Sequence, residues 1–279
     1  MVQPSKVTGA SLPSGSTGTT TPAGAAPPGA MLAVRGLHKH FGGVQAVNNA
    51  SFEVAEGYLF GLIGPNGAGK STALKMVGGA FRPDAGTVLF DGADVTGEQP
   101  HRLAHRGLIR TFQLGGEFAR LTVMENLLVA VPRQPGERLT SALLGRRSWR
   151  RHEEAAVEQA RQLLARFELS AHESSYAGEL SGGQRRLVEI MRAMMSSPRM
   201  LLLDEPLAGV NRGLGRHIED ALLELRGDGL TMLMVEHELG CIERICDSVI
   251  VMAQGHVIAQ GTMQELRTRQ EVLYAYLAG

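Results

Sequence analysis

One run of residues predicts the architecture of this chain, namely Gly64-Pro65-Asn66-Gly67-Ala68-Gly69-Lys70-Ser71-Thr72. It matches the pattern GxxxxGK[ST] of a phosphate-binding loop, which requires a strand before it and a helix after it. The apolar residues 58–63 precede the run, and the helix-compatible residues 73–77 follow it. The order strand, glycine loop, helix favours a site for a nucleoside triphosphate over the plainer interpretation of a glycine turn before a helix.

The residue types of this run suit phosphate binding. Gly64, Gly67 and Gly69 can adopt backbone conformations that a β-carbon would forbid, so that consecutive N–H groups point at phosphate oxygens. The helix that follows directs the positive end of its dipole at the same place. Lys70 can reach the β- and γ-phosphates, and the Ser71 hydroxyl can ligate Mg²⁺. We predict that residues 64–72 together form the nucleotide-binding loop.

The composition limits the kinds of partner. The chain has 279 residues, enough for one large domain or two small ones, and its 28 acidic and 28 basic residues balance. This balance gives no indication of a nucleic-acid partner. Charge is concentrated only in residues 146–151 (Arg-Arg-Ser-Trp-Arg-Arg), which could contact a membrane surface or a phosphate backbone. A solvated helix start is the favoured interpretation of that run.

Several features of the sequence indicate no catalytic or binding site. Residues 1–30 are Ser, Thr, Gly, Ala and Pro with almost no large apolar side chain, and we expect them to be a disordered N-terminal tail. Cys241 and Cys246 match neither a metal pair nor a redox motif, so we expect buried thiols. His101 and His105 have a metal-compatible spacing but no evident third ligand. No apolar run approaches the ~18 residues that cross a bilayer.

The rest of the chain alternates strand and helix patterns. Residues 31–34 and 50–56 are predicted strands, and the alternation of the second indicates a half-exposed antiparallel strand. Phe41, which lies between them, could stack on an adenine ring or belong to the core. Residues 100–180 have a helical pattern, in which one apolar stripe is predicted to pack in the core. That stripe consists of Ala156, Ala160, Leu163, Leu164 and Phe167.

Two further strands are predicted to end at the phosphate-binding loop. Residues 200–203 are a continuous apolar run followed by Asp204 and Glu205, and residues 230–235 deliver Glu236 and His237. Such runs are typical of central parallel strands, whose carboxyl ends are where α/β sheets bind ligands. We expect Asp204 to hold Mg²⁺ through water and Glu205 to orient the attacking water. Beyond them, a hairpin around Gln254-Gly255 and two closing helices are predicted.

A second glycine turn, Leu180-Ser181-Gly182-Gly183-Gln184, completes a recognisable set. Together with the phosphate-binding loop and the strand-end Asp-Glu pair, it resembles the ATP-binding subunit of an ATP-binding cassette (ABC) transporter over residues 31–279. The resemblance implies an α/β fold: a P-loop NTPase (RecA-like) core with an antiparallel β subdomain and an inserted α-helical subdomain at about 100–185. It also implies that the ligands are ATP and Mg²⁺.

The resemblance also implies a role for each matching residue. Phe41 would stack on adenine, and Gln113 would sense Mg²⁺ and the γ-phosphate. Residues 181–184 (Ser, Gly, Gly, Gln) would form the signature loop that covers the ATP of an opposite subunit. Asp204 would bind the metal. The residues that would take part in hydrolysis are Glu205, His237, Gln113 and Lys70. Closure of two subunits around ATP would then position Glu205 and its water in line with the γ-phosphate.

Within the family, the sequence is similar to the branched-chain amino-acid uptake group. The similarity rests on Phe41-Gly42-Gly43, Arg110-Thr111-Phe112-Gln113 and an insertion after Val131-Pro132. It implies transmembrane permease partners, a second ABC ATPase subunit of the same or another kind, an indirect solute-binding protein, and a peripheral place on the cytoplasmic face of the plasma (inner) membrane. Urea and amide importers remain open. A lipid or lipopolysaccharide exporter, a soluble ABC ATPase and a catalytically idle module are the alternatives.

Overall fold

The computed structural model describes residues 29–111, 118–132 and 146–277; of these, the side chains of 146–150 and 276–277 are not described. The predicted tail (to residue 28), Gln113 and residues 133–145 of the insertion after Val131-Pro132 therefore lie outside the described residues. The described chain contains both strands and helices. The strands are β1 Ala30–Phe41, β2 Val44–Ala55, β3 Leu59–Ile63, β4 Ala85–Phe90, β5 Ala93–Asp94, β6 Leu108–Arg110, β7 Met200–Asp204, β8 Thr231–Val235, β9 Ser248–Ala253 and β10 His256–Gly261. The helices are α1 Lys70–Val77, α2 Pro100–His105, α3 Val123–Leu128, α4 Arg146–Arg166, α5 Gly182–Met194, α6 Arg212–Gly227, α7 Leu239–Ile245, α8 Met263–Leu266 and α9 Gln270–Leu277.

The larger sheet has the strand order β10-β9-β3-β8-β7-β6 and is parallel except for β10, which pairs antiparallel with β9. Its central strands are short apolar runs, and all five residues of both β3 and β8 are buried. Strands that are covered on both faces by other elements have this composition. The parallel sheet predicted from residues 200–203 and 230–235 is therefore confirmed.

The smaller sheet is antiparallel, with the order β2-β1-β4-β5. The sequence predicted its first two strands too short, at 31–34 and 50–56. Both strands run on beyond irregularities in their pairing, and β1 and β2 shift register between Val34 and Leu37 and again before Phe41. These bulges add residues without ending the strand, and they break the simple alternation on which the shorter prediction relied.

Successive residues of the central strands face opposite sides of the sheet and pack in two different cores. Leu59, Leu201 and Met232 pack with the helices α3 to α7, whereas Phe60 and Leu202 pack with α1 and the antiparallel sheet. The apolar stripe predicted on α4 is buried from Ala156 to Phe167, which confirms its structural role. Within the part of the chain that is described, no helix is long and apolar enough to span a bilayer.

Candidate nucleotide-binding site

The loop between β3 and α1 needs glycine at two positions. Gly64 has φ 150°, and a β-carbon there would lie 2.0 Å from the carbonyl oxygen of Met252. Gly69 has φ 95°, and its β-carbon would lie 2.3 Å from the carbonyl oxygen of Ala46. The loop is therefore clamped between β2 and β9 at distances that exclude a side chain. Glycine at these positions allows a loop whose N–H groups can point to the space in front of α1.

Lys70, the first residue of α1, is buried and bends back over this loop. Its ammonium group donates hydrogen bonds to the carbonyl oxygens of Gly64 (2.8 Å) and Pro65 (3.0 Å). Burial lowers the pKa of Lys70, and the nearby carboxylate of Glu205 acts in the opposite direction. The ammonium group of Lys70 thus lies at the loop, where it would attract a negatively charged phosphate group.

An open cleft lies in front of the loop. Its walls come from the start of β2, the phosphate-binding loop and the residues that follow β7 and β8. The lining residues are Val44, Gln45, Ala46, Asn66, Gly67, Ala68, Gly69, Lys70, Ser71, Thr72, Glu205 and His237. The structure therefore brings the predicted loop together with two side chains that are far apart in the sequence.

The carboxyl ends of β3, β8 and β7 meet at one edge of the sheet because Leu62 pairs with Val235 and Val235 pairs with Asp204. Asp204 is partly buried, and its Oδ2 accepts a hydrogen bond of 2.9 Å from Arg110. The carboxylate of Asp204 and the hydroxyl of Ser71 are oxygen donors, the type of ligand that Mg²⁺ takes in nucleotide sites. The donor chemistry at this edge thus fits magnesium.

Glu205 has an unusual backbone. Its φ is 50°, a left-handed conformation that costs a residue with a β-carbon on the order of 1–3 kcal/mol. The N–H of Glu205 donates to the carbonyl oxygen of Val235 (3.0 Å), and its Oε1 lies 2.9 Å from His237 Nε2. The strained turn thus directs the Glu205 side chain out of the β7 ladder and toward the cleft.

Phe41 lies at the exposed end of β1, paired with Val44 at the mouth of the cleft. Its ring is 44% exposed, and Phe81 contacts it edge to face at 5.3 Å. The ammonium group of Lys39 lies 5.6 Å from the ring centroid. Of the two interpretations that the sequence left open, burial in the core is wrong, because this ring still has a free surface.

The second glycine turn opens helix α5. Ser181 is its N-cap: the Ser181 hydroxyl accepts from the Gln184 N–H (3.3 Å) and donates to Gln184 Oε1 (2.9 Å). Gly183 is packed so closely that a β-carbon would lie 2.2 Å from Leu214 Cδ2. None of residues 181–184 is among the described residues that line the cleft. In a single chain, therefore, the two glycine turns do not form one site.

Sequence reasoning missed the role of Glu236. This residue is buried; its Oε1 accepts from the Leu207 N–H (2.8 Å) and its Oε2 from the His237 N–H (3.2 Å). Burial raises the pKa of Glu236, while these two hydrogen bonds act to lower it. Glu236 thus connects the loop after Glu205 to the residue that faces Glu205. The signal was present in the sequence as a carboxylate that directly ends a buried apolar strand.

The structure also describes the other candidates from the sequence. Among the residues described, no group of three or more His, Cys, Asp or Glu side chains could hold a metal ion, and His101 and His105 are in no such group. Cys241 is buried and Cys246 partly buried, and burial raises the pKa of Cys241 to about 12. Such thiols are inert.

Comparison with known proteins agrees with this geometry. The family model described as "ABC transporter" matches residues 47–208. The chain is 39% identical over 247 residues to the "Probable branched-chain amino acid transport ATP-binding protein LivG" of Archaeoglobus fulgidus, which covers 88% of this chain and 95% of that protein. It is also 39% identical over 248 residues to the "High-affinity branched-chain amino acid transport ATP-binding protein LivG" of Salmonella typhimurium, with 88% and 97% covered.

A solved structure gives the same result. The ADP conformation of MJ1267, an ATP-binding cassette of an ABC transporter, matches with a TM-score of 0.77 at 37% identity, covering 90% of this chain and 99% of that one. A chain with this fold and these motifs is an ATP-binding cassette, an ATPase of the P-loop class. It belongs to the ABC transporter family.

Proposed function

We propose that this chain is the ATP-binding and ATP-hydrolysing subunit of an importer for branched-chain amino acids or related small polar solutes. The observation that carries the proposal is the similarity along nearly the whole length of proteins that bear this name, 95% of one and 97% of another. The chain also has the residues of the signature loop, 181–184, and the residues that the family pattern requires at the cleft. Short amides and urea remain within the proposed solute class.

We assign ATP to the cleft in front of α1. Residues 64–72 wrap the phosphates, Lys70 leaves its two carbonyl partners for the β- and γ-phosphates, and Phe41 stacks on the adenine through its free surface. Mg²⁺, when bound, would be held by Ser71 and Asp204 and would offset the charge of the phosphate oxygens. Gln113, which lies outside the described residues, keeps its proposed role as a sensor of that metal and of the γ-phosphate.

Hydrolysis needs a base, and Glu205 is the group placed to act. Its carboxylate accepts a proton from the attacking water, while His237, released from Glu205, donates to the γ-phosphate. The strained backbone at Glu205 and the anchoring of the His237 N–H by Glu236 hold both groups at the same edge of the cleft. The charged groups of the cleft pair with groups of the protein, so ATP must exchange these partners.

The second glycine turn requires a second subunit. Residues 181–184 lie outside the cleft of their own chain, and their helix N-terminus is suited to an anion. We therefore place them over the ATP of an opposite cassette, identical or paralogous, so that ATP closes the pair and hydrolysis reopens it. The cassettes work on transmembrane permease subunits, at the cytoplasmic face of the inner membrane, and a solute-binding protein supplies the permeases. We propose residues 31–279 as the ATPase domain, with its helical subdomain at about 100–185.

Affinity purification from membranes tests this function directly. We expect permease subunits to co-elute, together with a solute-binding protein that binds a branched-chain amino acid. Co-elution with an export machinery for lipid or glycan would instead favour the exporter. Recovery without any membrane partner, with normal hydrolysis of ATP, would favour a soluble ABC ATPase.

A further inference from the structure

A positively charged side chain, Arg110, pairs with Asp204, the proposed magnesium ligand. Arg110, the last residue of β6, donates from a terminal guanidinium nitrogen to Oδ2 of Asp204, the last residue of β7, at 2.9 Å. The two side chains are 12% and 21% exposed. A pair this sheltered is screened less than a surface ion pair, so the guanidinium charge acts directly on the carboxylate of Asp204.

The arginine is directed to this place by the fold. β6 pairs in parallel with β7, with Arg110 opposite Leu202, and the next N–H, that of Thr111, donates to the Leu202 carbonyl oxygen at 3.0 Å. The stem of Arg110 passes so close to Gly78, at the end of α1, that a β-carbon on Gly78 would lie 3.0 Å from Arg110 Cδ. The stem therefore lies in a packed slot between the nucleotide-binding helix and the sheet.

The backbone of Asp204 is held without the arginine. The residue is fixed in the β7 ladder opposite Val235, and Glu205 after it is held by the Val235 carbonyl oxygen. The effect of Arg110 is therefore electrostatic: a positive charge a few ångströms from a site opposes a divalent cation there and competes for the same carboxylate.

We propose that Arg110 is an internal counter-ion of Asp204 that competes with Mg²⁺ and sets the magnesium concentration at which the cassette takes up its nucleotide as the metal complex. The inference rests on the proposed function, since it concerns the same site. It assigns Arg110 a role in tuning metal affinity that is separate from the binding of the nucleotide itself.

The test compares Arg110→Met with the wild-type chain. Methionine keeps an apolar stem in the slot beside Gly78 and removes the charge. Binding of ATP is titrated in EDTA, and the Mg²⁺ concentration that gives half of the metal-dependent rise in melting temperature is then measured with ATP present. We expect the metal midpoint to fall about tenfold, because the repulsion between the guanidinium charge and a nearby divalent cation is removed. ATP affinity in EDTA should stay within about twofold, since residues 64–72 are untouched.

Two matched variants make the result specific. Arg110→Lys keeps a positive charge near Asp204, and its midpoint should stay near the wild-type value. Arg106→Met removes another arginine of the same region, which pairs with Glu98 at 2.9 Å away from the cleft, and should change nothing.

An unchanged or raised midpoint in Arg110→Met, with normal binding of ATP in EDTA, would overturn the inference and leave the proposed function intact. An equal fall in Arg106→Met would also overturn it, because the effect would then be one of general charge. A wild-type chain that binds no ATP in either condition would overturn the proposed function, and the inference with it.

Discussion

His237 Nε2 lies 2.9 Å from Glu205 Oε1, so the two side chains proposed to act on the terminal phosphate are hydrogen-bonded to each other within the chain. Lys70 is likewise bonded to the carbonyl oxygens of Gly64 and Pro65. Each charged group of the cleft thus has a partner within the protein. On the proposed function, ATP binding would exchange these partners, so that each charged group is paired both before and after ATP binds.

The first prediction concerns Glu205. Glu205→Gln keeps the size of the side chain and a hydrogen-bonding oxygen near His237 but cannot accept a proton from water. We expect kcat for ATP hydrolysis to fall by about a hundredfold or more, while the Kd for ATP changes little. Phosphate release and nucleotide titration measure the two quantities. Glu238→Gln, an exposed neighbour of His237, is the matched control, and a normal kcat in Glu205→Gln would refute the role of Glu205.

The second prediction concerns the exposed ring of Phe41. Phe41→Ala removes the surface on which adenine is proposed to stack and should weaken ATP binding about tenfold, since stacking of a base on an aromatic ring is worth about 1–3 kcal/mol. Phe41→Tyr should bind nearly as the wild type. Tyr58→Ala, which removes another half-exposed aromatic ring at the start of β3, is the control. Equal affinities in all three variants would place adenine elsewhere.

The third prediction tests the backbone clamp on the phosphate-binding loop. Gly69→Ala introduces a β-carbon at φ 95° and 2.3 Å from the Ala46 carbonyl oxygen. We expect the free energy of unfolding to fall by at least about 1–3 kcal/mol, together with loss of ATP binding, measured by urea unfolding and titration.

Gly215→Ala is the control for this prediction. Gly215 lies inside α6 with open space at its β-carbon position, so alanine there should stabilise the chain by about 0.5–1 kcal/mol. Equal effects of the two substitutions would contradict the clamp.

The fourth prediction concerns Glu236. In Glu236→Gln one of the two N–H groups, that of Leu207 or of His237, must face the amide NH₂ group instead of an oxygen. We expect a loss of about 1–3 kcal/mol of stability and a lower kcat with an unchanged Kd for ATP, because His237 loses its anchor. Glu153→Gln on the exposed side of α4 should leave both quantities unchanged. A wild-type kcat in Glu236→Gln would show that the anchor is dispensable.

Much of this fold could be predicted from local patterns. The continuous apolar runs before Asp204 and Glu236 predicted central strands, because only strands covered on both faces have that composition. The run 64–72 predicted a glycine loop between a strand and a helix, and the structure gives the steric reason for glycine at Gly64 and Gly69. The apolar stripe of α4 was equally readable from its helical period.

Other features depend on contacts between distant residues. The bulges that lengthen β1 and β2 follow from pairing between strands, and no local period predicts them. The pairing of Arg110 with Asp204 joins two residues that only the parallel register of β6 and β7 brings together. The sequence showed Glu236 as a carboxylate at the end of an apolar strand. It could not show that its two oxygens accept hydrogen bonds from the N–H groups of Leu207 and His237.

The central claim is that two glycine turns, distant in one chain, enclose ATP between two chains. A structure of the Glu205→Gln variant with Mg²⁺ and ATP tests it most directly. Our account predicts a closed pair of cassettes in which the Ser181 hydroxyl of each chain lies within hydrogen-bonding distance of the γ-phosphate bound to residues 64–72 of the other. A nucleotide-bound structure in which Ser181 contacts no phosphate of a neighbouring chain would contradict it.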